Sequence, residues 1–364
     1  MSNYVLYDYL QVSGGAERLS INLAKGLPGY QLVVSRVFEQ ARYLAAEQTL
    51  GAKGLRCLGS PATRALPRVA EALVCFTARS GFLRDAQTVI YSGLYAPLAV
   101  SQQISGRRIY YCHTPPRYIY DWRERYLQRL APPLRPLAAL AFDALQKRYE
   151  DALGRMDCVI TNSENVRKRL RLHLGLESQV IHPPVDTERF KWIGQGDYFV
   201  SLARLEPHKR VEVIIAAFVG LPEQKLVVAS GGSDEARLKV LAKGAANISF
   251  TGWQDETSLR QCIGNARAAI YVPADEDFGM SPVESMSAGK PVIGVREGGM
   301  IETVINGITG ILVEPKLDVQ SLREAINALD PIKALAMREA CELQAKQFSK
   351  EAFLKRMAAI VQNS

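Results

Sequence analysis

Three runs of the 364-residue chain set charged side chains beside glycine or proline in a way that suits the binding of anions and hydroxyls. In Ala203-Arg204-Leu205-Glu206-Pro207-His208-Lys209-Arg210, one short loop carries the cations Arg204 and Lys209. Such a pair suits a diphosphate, because a guanidinium binds it bidentately and an ammonium acts as a point charge. In Glu276-Asp277-Phe278-Gly279-Met280-Ser281-Pro282-Val283-Glu284, two carboxylates flank a glycine. Carboxylates accept paired hydroxyls, so one can hold a sugar and the other a ribose diol. Gly279 lets main-chain N–H groups come close to a ligand. Gly14-Gly15 precedes Ala16-Glu17-Arg18 at the head of a helical pattern, where backbone N–H groups face an anion. His113 ends the run Tyr110-Tyr111-Cys112, and its imidazole can donate a hydrogen bond to a sugar or support a leaving group. Each feature also has a plain structural reading: a tight turn, solvated loop charges, a carboxylate favouring its helix dipole, or a histidine bonded within the core.

Metal chemistry is not expected. Asp275-Glu276-Asp277 is a D-x-D tripeptide, a pattern able to hold Mg²⁺ or Mn²⁺ through oxygen ligands. It opens a helix late in the chain, however, whereas a site of that kind follows an early nucleotide-binding sheet. The four histidines and six cysteines lie scattered without ligand spacing, so the cysteines read as buried thiols in a reducing compartment. Gly14-Gly15 does not belong to a G-x-G-x-x-G run with an acidic residue at ribose distance, which argues against a dinucleotide cofactor.

These residues need elements that hold them, and the patterning supplies two series. Strands are expected at Tyr4–Tyr9, Gln31–Ser35, Thr88–Ser92, Arg108–Cys112 and Asp157–Thr161, with helices over 15–27, 121–153 and 163–173. The pattern restarts with strands at Tyr198–Ala203, Lys225–Ala229, Asn247–Thr251, Ala268–Val272, Pro291–Val295 and Gly310–Val313. Helices are expected between these strands and up to 350–361. Strand–helix alternation with short connections means parallel sheets covered on both faces, here two doubly wound α/β domains. The boundary is placed near residue 190, after Pro183-Pro184. Ligands of such sheets sit beyond the carboxyl ends of the strands, and the two domains are expected to face each other across a cleft that keeps water from the reacting centre.

Charge is uneven. Residues 1–190 hold 25 Lys and Arg against 16 Asp and Glu, whereas 191–364 hold 20 against 21. A basic first half suits an anionic surface, either nucleic acid or lipid. No nucleic-acid motif accompanies it, so no nucleic-acid partner is expected. Arg117, Arg123, Arg125, Arg129 and Arg135 lie among Tyr118, Tyr120, Trp122, Tyr126, Leu127 and Leu130, a mixture suited to a membrane interface. A core helix with charged flanks is the alternative. No secretory leader is apparent, and the apolar stretch from Leu130 to Leu145 is interrupted by prolines and charges. The expected location is the cytoplasm, with peripheral attachment to the inner membrane face.

Taken together, the blocks resemble the retaining glycosyltransferases of family 4, and within them the bacterial O-antigen mannosyltransferase-like branch. The resemblance is carried by Gly14-Gly15-Ala16-Glu17-Arg18, YYCHTPPRYIYDW from Tyr110, TNSENVRKRL from Thr161, PPVDTERF from Pro183, ARLEPHKR from Ala203, and EDFGMSPVESMSAGKPVIG from Glu276. The last contains the family's E-x7-E pattern as Glu276 and Glu284. It spans nearly the whole chain in order and is weakest from about 36 to 105, where acceptor pockets vary.

The resemblance implies a GT-B fold of two Rossmann-like domains. Residues 1–190 form the acceptor side, residues 191–347 the donor side, and a final helix at about 348–364 crosses back onto the first domain. It implies that Arg204 and Lys209 hold the diphosphate of a nucleotide-sugar donor, with Gly14 and Gly15 approaching the same group. Glu284 would hold the ribose. Glu276 and the main chain of Phe278, Gly279 and Met280 would hold the donor sugar, with His113 against it. Gly252 and Trp253 fall where the base sits, and Arg117, Tyr118, Asp121 and Trp122 on the acceptor or membrane side. One departure is Ala203-Arg204, where many relatives read Gly-Arg. The implied reaction moves a hexose, as from GDP-mannose, to a lipid-linked or oligosaccharide acceptor in surface polysaccharide synthesis. It needs neither metal nor cofactor. A nucleotide-sugar epimerase on the same fold and a basic nucleic-acid-binding protein are the competing readings.

Overall fold

The computed structural model describes residues 2–11, 14–41 and 54–362. Its strands are β1 (Asn3–Tyr7), β2 (Tyr30–Val34), β3 (Leu55–Cys57), β4 (Thr88–Ser92), β5 (Arg107–Cys112), β6 (Cys158–Thr161) and β7 (Gln179–Val180). A second set follows: β8 (Tyr198–Ser201), β9 (Lys225–Val228), β10 (Ile248–Phe250), β11 (Ala268–Tyr271), β12 (Val292–Val295) and β13 (Gly310–Val313). Central strands such as β4 and β11 are buried at every position. That is the mark of a parallel sheet covered on both faces, because neither side of the strand meets water.

Each set forms one sheet, and every pairing in both is parallel. The orders are β3-β2-β1-β4-β5-β6-β7 and β10-β9-β8-β11-β12-β13. In both, the chain begins mid-sheet, winds outward for three strands, and returns to the other side of its first strand. The winding therefore reverses between β1 and β4, and again between β8 and β11. Loops at such a reversal splay apart at the carboxyl ends of the strands and leave a crevice for ligand.

The chain divides into two units, Met1–Pro183 with Phe353–Ser364, and Pro184–Ala352. The division falls at Pro183-Pro184 instead of near residue 190. Val185 already belongs to the second core, where its N–H donates to Phe348 O at 2.8 Å, and Phe190 packs with Ile263 and Ala288. The last helix, Lys350–Gln362, gives Phe353 and Met357 to the core of the first unit. The Phe353 ring meets Tyr111 of β5 at 6.0 Å between centroids. Burying each of these two side chains contributes about 1.5–3 kcal/mol, which ties the chain's end to the sheet its beginning built.

The long helix expected over 121–153 is broken. Arg123–Gln128 forms one helix, Pro132–Leu134 a 3-10 turn, and Arg135–Leu153 a second helix. Pro132 and Pro133 lack the N–H that a continuous helix needs. Leu134 at the end of the turn, and Leu137 and Leu140 at the start of the second helix, are 53%, 69% and 67% exposed. Among the described residues, no helix is long and apolar enough to cross a membrane.

Candidate functional site

In the second unit the side chains singled out above gather at the β8–β11 reversal. After β8 the chain makes a 3-10 turn, Pro207–Lys209, before the helix Val211–Val219. Arg210 between them takes a left-handed backbone, φ 53°, which a non-glycine residue adopts only where its surroundings hold it. Arg210 pairs with Glu297 at 2.8 Å, pinning this loop to the one after β12. Ala274 N–H donates to His208 O at 2.8 Å and pins it to the loop after β11. The turn is thereby fixed from two sides, and Lys209 projects from it.

Lys209 Nζ lies 2.7 Å from Glu276 Oε2 and 3.1 Å from the Tyr271 hydroxyl, and that hydroxyl donates to Glu276 Oε2 at 2.8 Å. The three groups close a triangle. Burial and then the charge of Glu276 push the Tyr271 hydroxyl well above its ordinary pKa, so it stays a proton donor. The charges of Arg204 and Glu284 also act on this hydroxyl, so both lie within electrostatic reach of the triangle. Arg204 itself is exposed and, among the described residues, forms no ion pair. Burial and then the charge of Lys209 lower the His208 pKa, keeping that ring neutral beside the cations.

The acidic loop is held from behind. Gly298 and Gly299, after β12, lie so close that a Cβ on Gly298 would come 2.4 Å from Glu276 O and one on Gly299 2.3 Å from Phe278 Cα. Gly299 N–H donates to Glu276 O at 2.9 Å. Phe278 turns its ring into the core against Phe348, 5.4 Å between centroids, so only its main chain is left for a ligand. Gly279 has φ 87° and precedes the helix Met280–Ser287, whose first turns carry Met280 and Glu284. Gly252 also takes a left-handed turn, and the 69% exposed Trp253 lies against Gly231.

In the first unit Gly14 heads the helix Gly15–Gly26 with no side-chain cap among the described residues. Ser20 of that helix approaches Ser92 at 3.4 Å, and Ser92 Oγ bonds His113 Nε2 at 2.7 Å. Tyr7 and Tyr111 enclose the imidazole. Burial depresses the His113 pKa to about 4, so the ring is neutral at pH 7 and acts through hydrogen bonding, not charge. The Asp8 carboxylate, just past β1, accepts the N–H groups of Leu94, Tyr95 and Ala96 at 2.7–2.9 Å and fixes the loop after β4.

Asp121 is already engaged. Arg169 holds both its oxygens, and His173 Nε2 sits 3.0 Å from Oδ1. Burial alone would raise its pKa, but the hydrogen bonds and charges of Arg169 and His173 outweigh it and the net shift is down. A carboxylate so held is a poor proton acceptor. Arg117 stacks its guanidinium 4.4 Å above Trp122, and the Tyr118 hydroxyl meets that of Tyr95 at 3.3 Å.

Four contributors were not anticipated: Tyr271, Asp8, and the pairs Gly231-Gly232 and Gly298-Gly299. The glycine pairs carried the same signal as Gly14-Gly15, two glycines in the loop that follows a strand. Tyr271 and Asp8 gave none beyond standing at or next to a strand's carboxyl end.

Comparison with known proteins gives the family and the fold. Residues 13–189 match the family described as Glycosyltransferase Family 4, and residues 185–348 match Glycosyl transferases group 1. The alpha-1,3/1,6-mannosyltransferase ALG2 of Dictyostelium discoideum is 25% identical over 89% of both chains. That of Homo sapiens is 24% identical over 94% of this chain and 92% of its own. Among solved structures, Anabaena Alr3699/HepE in complex with UDP superposes with TM-score 0.79 over the full length of both chains at 16% identity, a likeness of fold.

Proposed function

We infer the reaction from one premise: this chain belongs to glycosyltransferase family 4 and has the GT-B fold. It is a glycosyltransferase. Within that class, we propose that it moves mannose from GDP-mannose, with retention of configuration and without a metal ion, to a lipid-linked or oligosaccharide acceptor of a surface polysaccharide such as O-antigen. The mannosyltransferase relatives support the donor sugar.

The observation that carries the mechanism is the Lys209–Glu276–Tyr271 triangle with Arg204 beside it. When the donor binds, Lys209 and Arg204 face its diphosphate, and Glu276 turns its oxygens to the sugar hydroxyls. As the glycosidic bond breaks, negative charge grows on the leaving phosphate. Lys209, fixed in advance by Glu276 and Tyr271, stabilises that charge with little reorganisation, Arg204 adds a second cation, and together they supply what a divalent ion would otherwise supply. Glu284 takes the ribose, and Gly252 with Trp253 seats the base. We assign Gly14 and Gly15 to the diphosphate and His113, neutral, to a donor-sugar hydroxyl.

The state of Asp121 supports the proposed retention. Inversion needs a carboxylate free to deprotonate the acceptor opposite the diphosphate. Asp121, the candidate in the first unit, is ionised and held by Arg169 and His173. In the proposed mechanism the departing phosphate takes the acceptor proton on its own face. Arg117, Arg125 and the exposed leucines 134, 137 and 140 support attachment to an anionic membrane, with apolar side chains entering beneath the headgroups.

A thermal-shift screen across GDP-, UDP-, ADP- and dTDP-sugars identifies the donor, since a ligand bound only by the folded state raises its apparent stability. Proton NMR of the product then reads the new linkage. An α-linkage formed in EDTA is expected. A β-linkage, or a rate abolished by EDTA and restored by Mg²⁺ or Mn²⁺, overturns the mechanism.

A further inference from the structure

Beyond the β1–β4 reversal, the first unit carries a second built surface. The pairing of β1 and β2 continues past their ends through a parallel bridge, Leu10–Val37, with Leu10 N–H donating to Arg36 O and Phe38 N–H to Leu10 O. Period-two alternation then puts Tyr9 and Gln11 on one face of their segment, and Arg36 and Phe38 on one face of theirs. The Tyr9 and Phe38 rings meet edge to face at 6.0 Å. Arg68, at the start of the helix Arg68–Ala78, lays its guanidinium 5.0 Å from the Tyr9 ring and donates to Gln11 Oε1.

The two arginines differ in kind. Arg36 is neutralised by the buried Glu71 at 3.3 Å. Arg68 is exposed and, among the described residues, has no carboxylate partner; an amide and an aromatic face hold it in place. Its charge reaches the phenols of both Tyr9 and Tyr95, and Tyr95 meets Tyr118 hydroxyl to hydroxyl. Tyr9 and Phe38, with the partly buried Tyr118 held by the buried Tyr95, line the ligand-bearing edge of the sheet as an aromatic wall, and Arg68 stands at its rim without a carboxylate partner among the described residues. Aromatic faces take the apolar side of a sugar ring, and a guanidinium fixed by two neighbours binds an oxyanion with little ordering cost.

We propose that this wall is an acceptor subsite and that Arg68 recognises a phosphate ester on the acceptor saccharide. This rests on the glycosyltransferase reading and names the acceptor's chemistry: a glycosyl phosphate, not a neutral sugar. Gln11 is a positioning residue that orients the guanidinium. A phosphate is also offered by a bilayer headgroup, and the test separates the two sources.

The full chain, with GDP or UDP at saturation to fill the donor site, is titrated calorimetrically with α-mannosyl phosphate and with methyl α-mannoside. The wild type should bind the phosphate at least about tenfold more tightly than the neutral glycoside. Arg68→Ala should lose that preference, and Arg68→Lys should keep part of it, since an ammonium lacks the bidentate fork. Sedimentation with phosphatidylglycerol vesicles should be the same for Arg68→Ala and wild type. Equal binding of the two glycosides, binding of neither, or unchanged binding in Arg68→Ala overturns the proposal. So does an Arg68→Ala protein that loses vesicle binding while keeping the phosphate preference, because Arg68 is then a headgroup contact. Nucleotide-sugar stabilisation of both proteins is measured in parallel. Its absence from the wild type counts against the donor reading, whereas the Arg68 comparison reads the subsite alone.

Discussion

Replacing Lys209 with methionine tests the donor site most sharply, because the structure separates its catalytic effect from its structural one. The substitution keeps most of the side chain's length and removes the ammonium 2.7 Å from Glu276 and 3.1 Å from Tyr271. The two ionic side chains are 12% and 17% exposed. Breaking a fully buried pair costs about 3–5 kcal/mol, and an exposed pair contributes about 0–1 kcal/mol. This pair lies between, so Lys209→Met should cost about 2 kcal/mol. For a unit of this size that is a fall in Tm of about 4–8 °C by scanning fluorimetry. The catalytic loss is separate: one fixed charge taken from a water-poor site lowers kcat/KM by roughly 10²–10³-fold, read from nucleotide release. Lys209→Met/Glu276→Gln closes the cycle. The neutral amide no longer leaves an unpaired charge, so most of the lost Tm should return. Activity should not return, because neither the phosphate cation nor the sugar carboxylate is restored. Recovery of activity along with Tm would show that the pair only holds the loop together. A single mutant within threefold of wild type would show that the phosphates lie elsewhere.

Arg204→Ala should cost about 10²-fold or more in kcat/KM with little change in Tm, since the side chain is exposed and forms no ion pair among the described residues; an unchanged rate removes it from the site. His113, held near pKa 4 by burial against an ordinary 6.5, makes the unfolded chain the better proton binder between those values. Its contribution to stability is present above pH 6.5 and is lost as pH falls toward 4. Asp8, raised to about 6 mainly by burial, acts in the opposite sense between 3.8 and 6, so the measurement must be a difference. Denaturant titrations should show His113→Asn losing less stability than wild type between pH 7 and 4.5, by about 1 kcal/mol or more; parallel curves would mean that the ring is not buried neutral. Leu137→Glu/Leu140→Glu should abolish sedimentation with phosphatidylglycerol vesicles and leave Tm unchanged, because both leucines face solvent; undiminished sedimentation would show that the leucine face does not meet the bilayer.

Much of this architecture was legible in the order of residues. Short apolar runs alternating with helical periodicity define two doubly wound units, because side-chain period is a local property of the backbone. Paired glycines in the loops after strands signal close backbone approach, a signal read at Gly14-Gly15 and missed at Gly231-Gly232 and Gly298-Gly299. Arg204 with Lys209, and Glu276 with Glu284, announce themselves because each pair lies within one loop or one loop and its helix. Pro132-Pro133 was equally local, yet the strong periodicity on either side hid the break it makes in the helix over 121–153.

What needed the tertiary structure is whatever depends on distant segments meeting. Lys209 and Glu276 are 67 residues apart, and they touch because β11 returns to lie beside β8 and not beside β10. Tyr271 is one more buried strand tyrosine until that return places its hydroxyl between the two. Asp121 reads as an available base until Arg169 and His173 close on it from a later helix. The last helix gives its apolar face to a sheet begun over three hundred residues earlier. Periodicity and turn chemistry determined which segments become strands, helices and glycine-lined turns. Which strand lies beside which, and so which charges are paired and which are left for a ligand, was decided only when the whole chain buried its apolar faces together, since that choice depends on long-range packing and not on neighbouring residues.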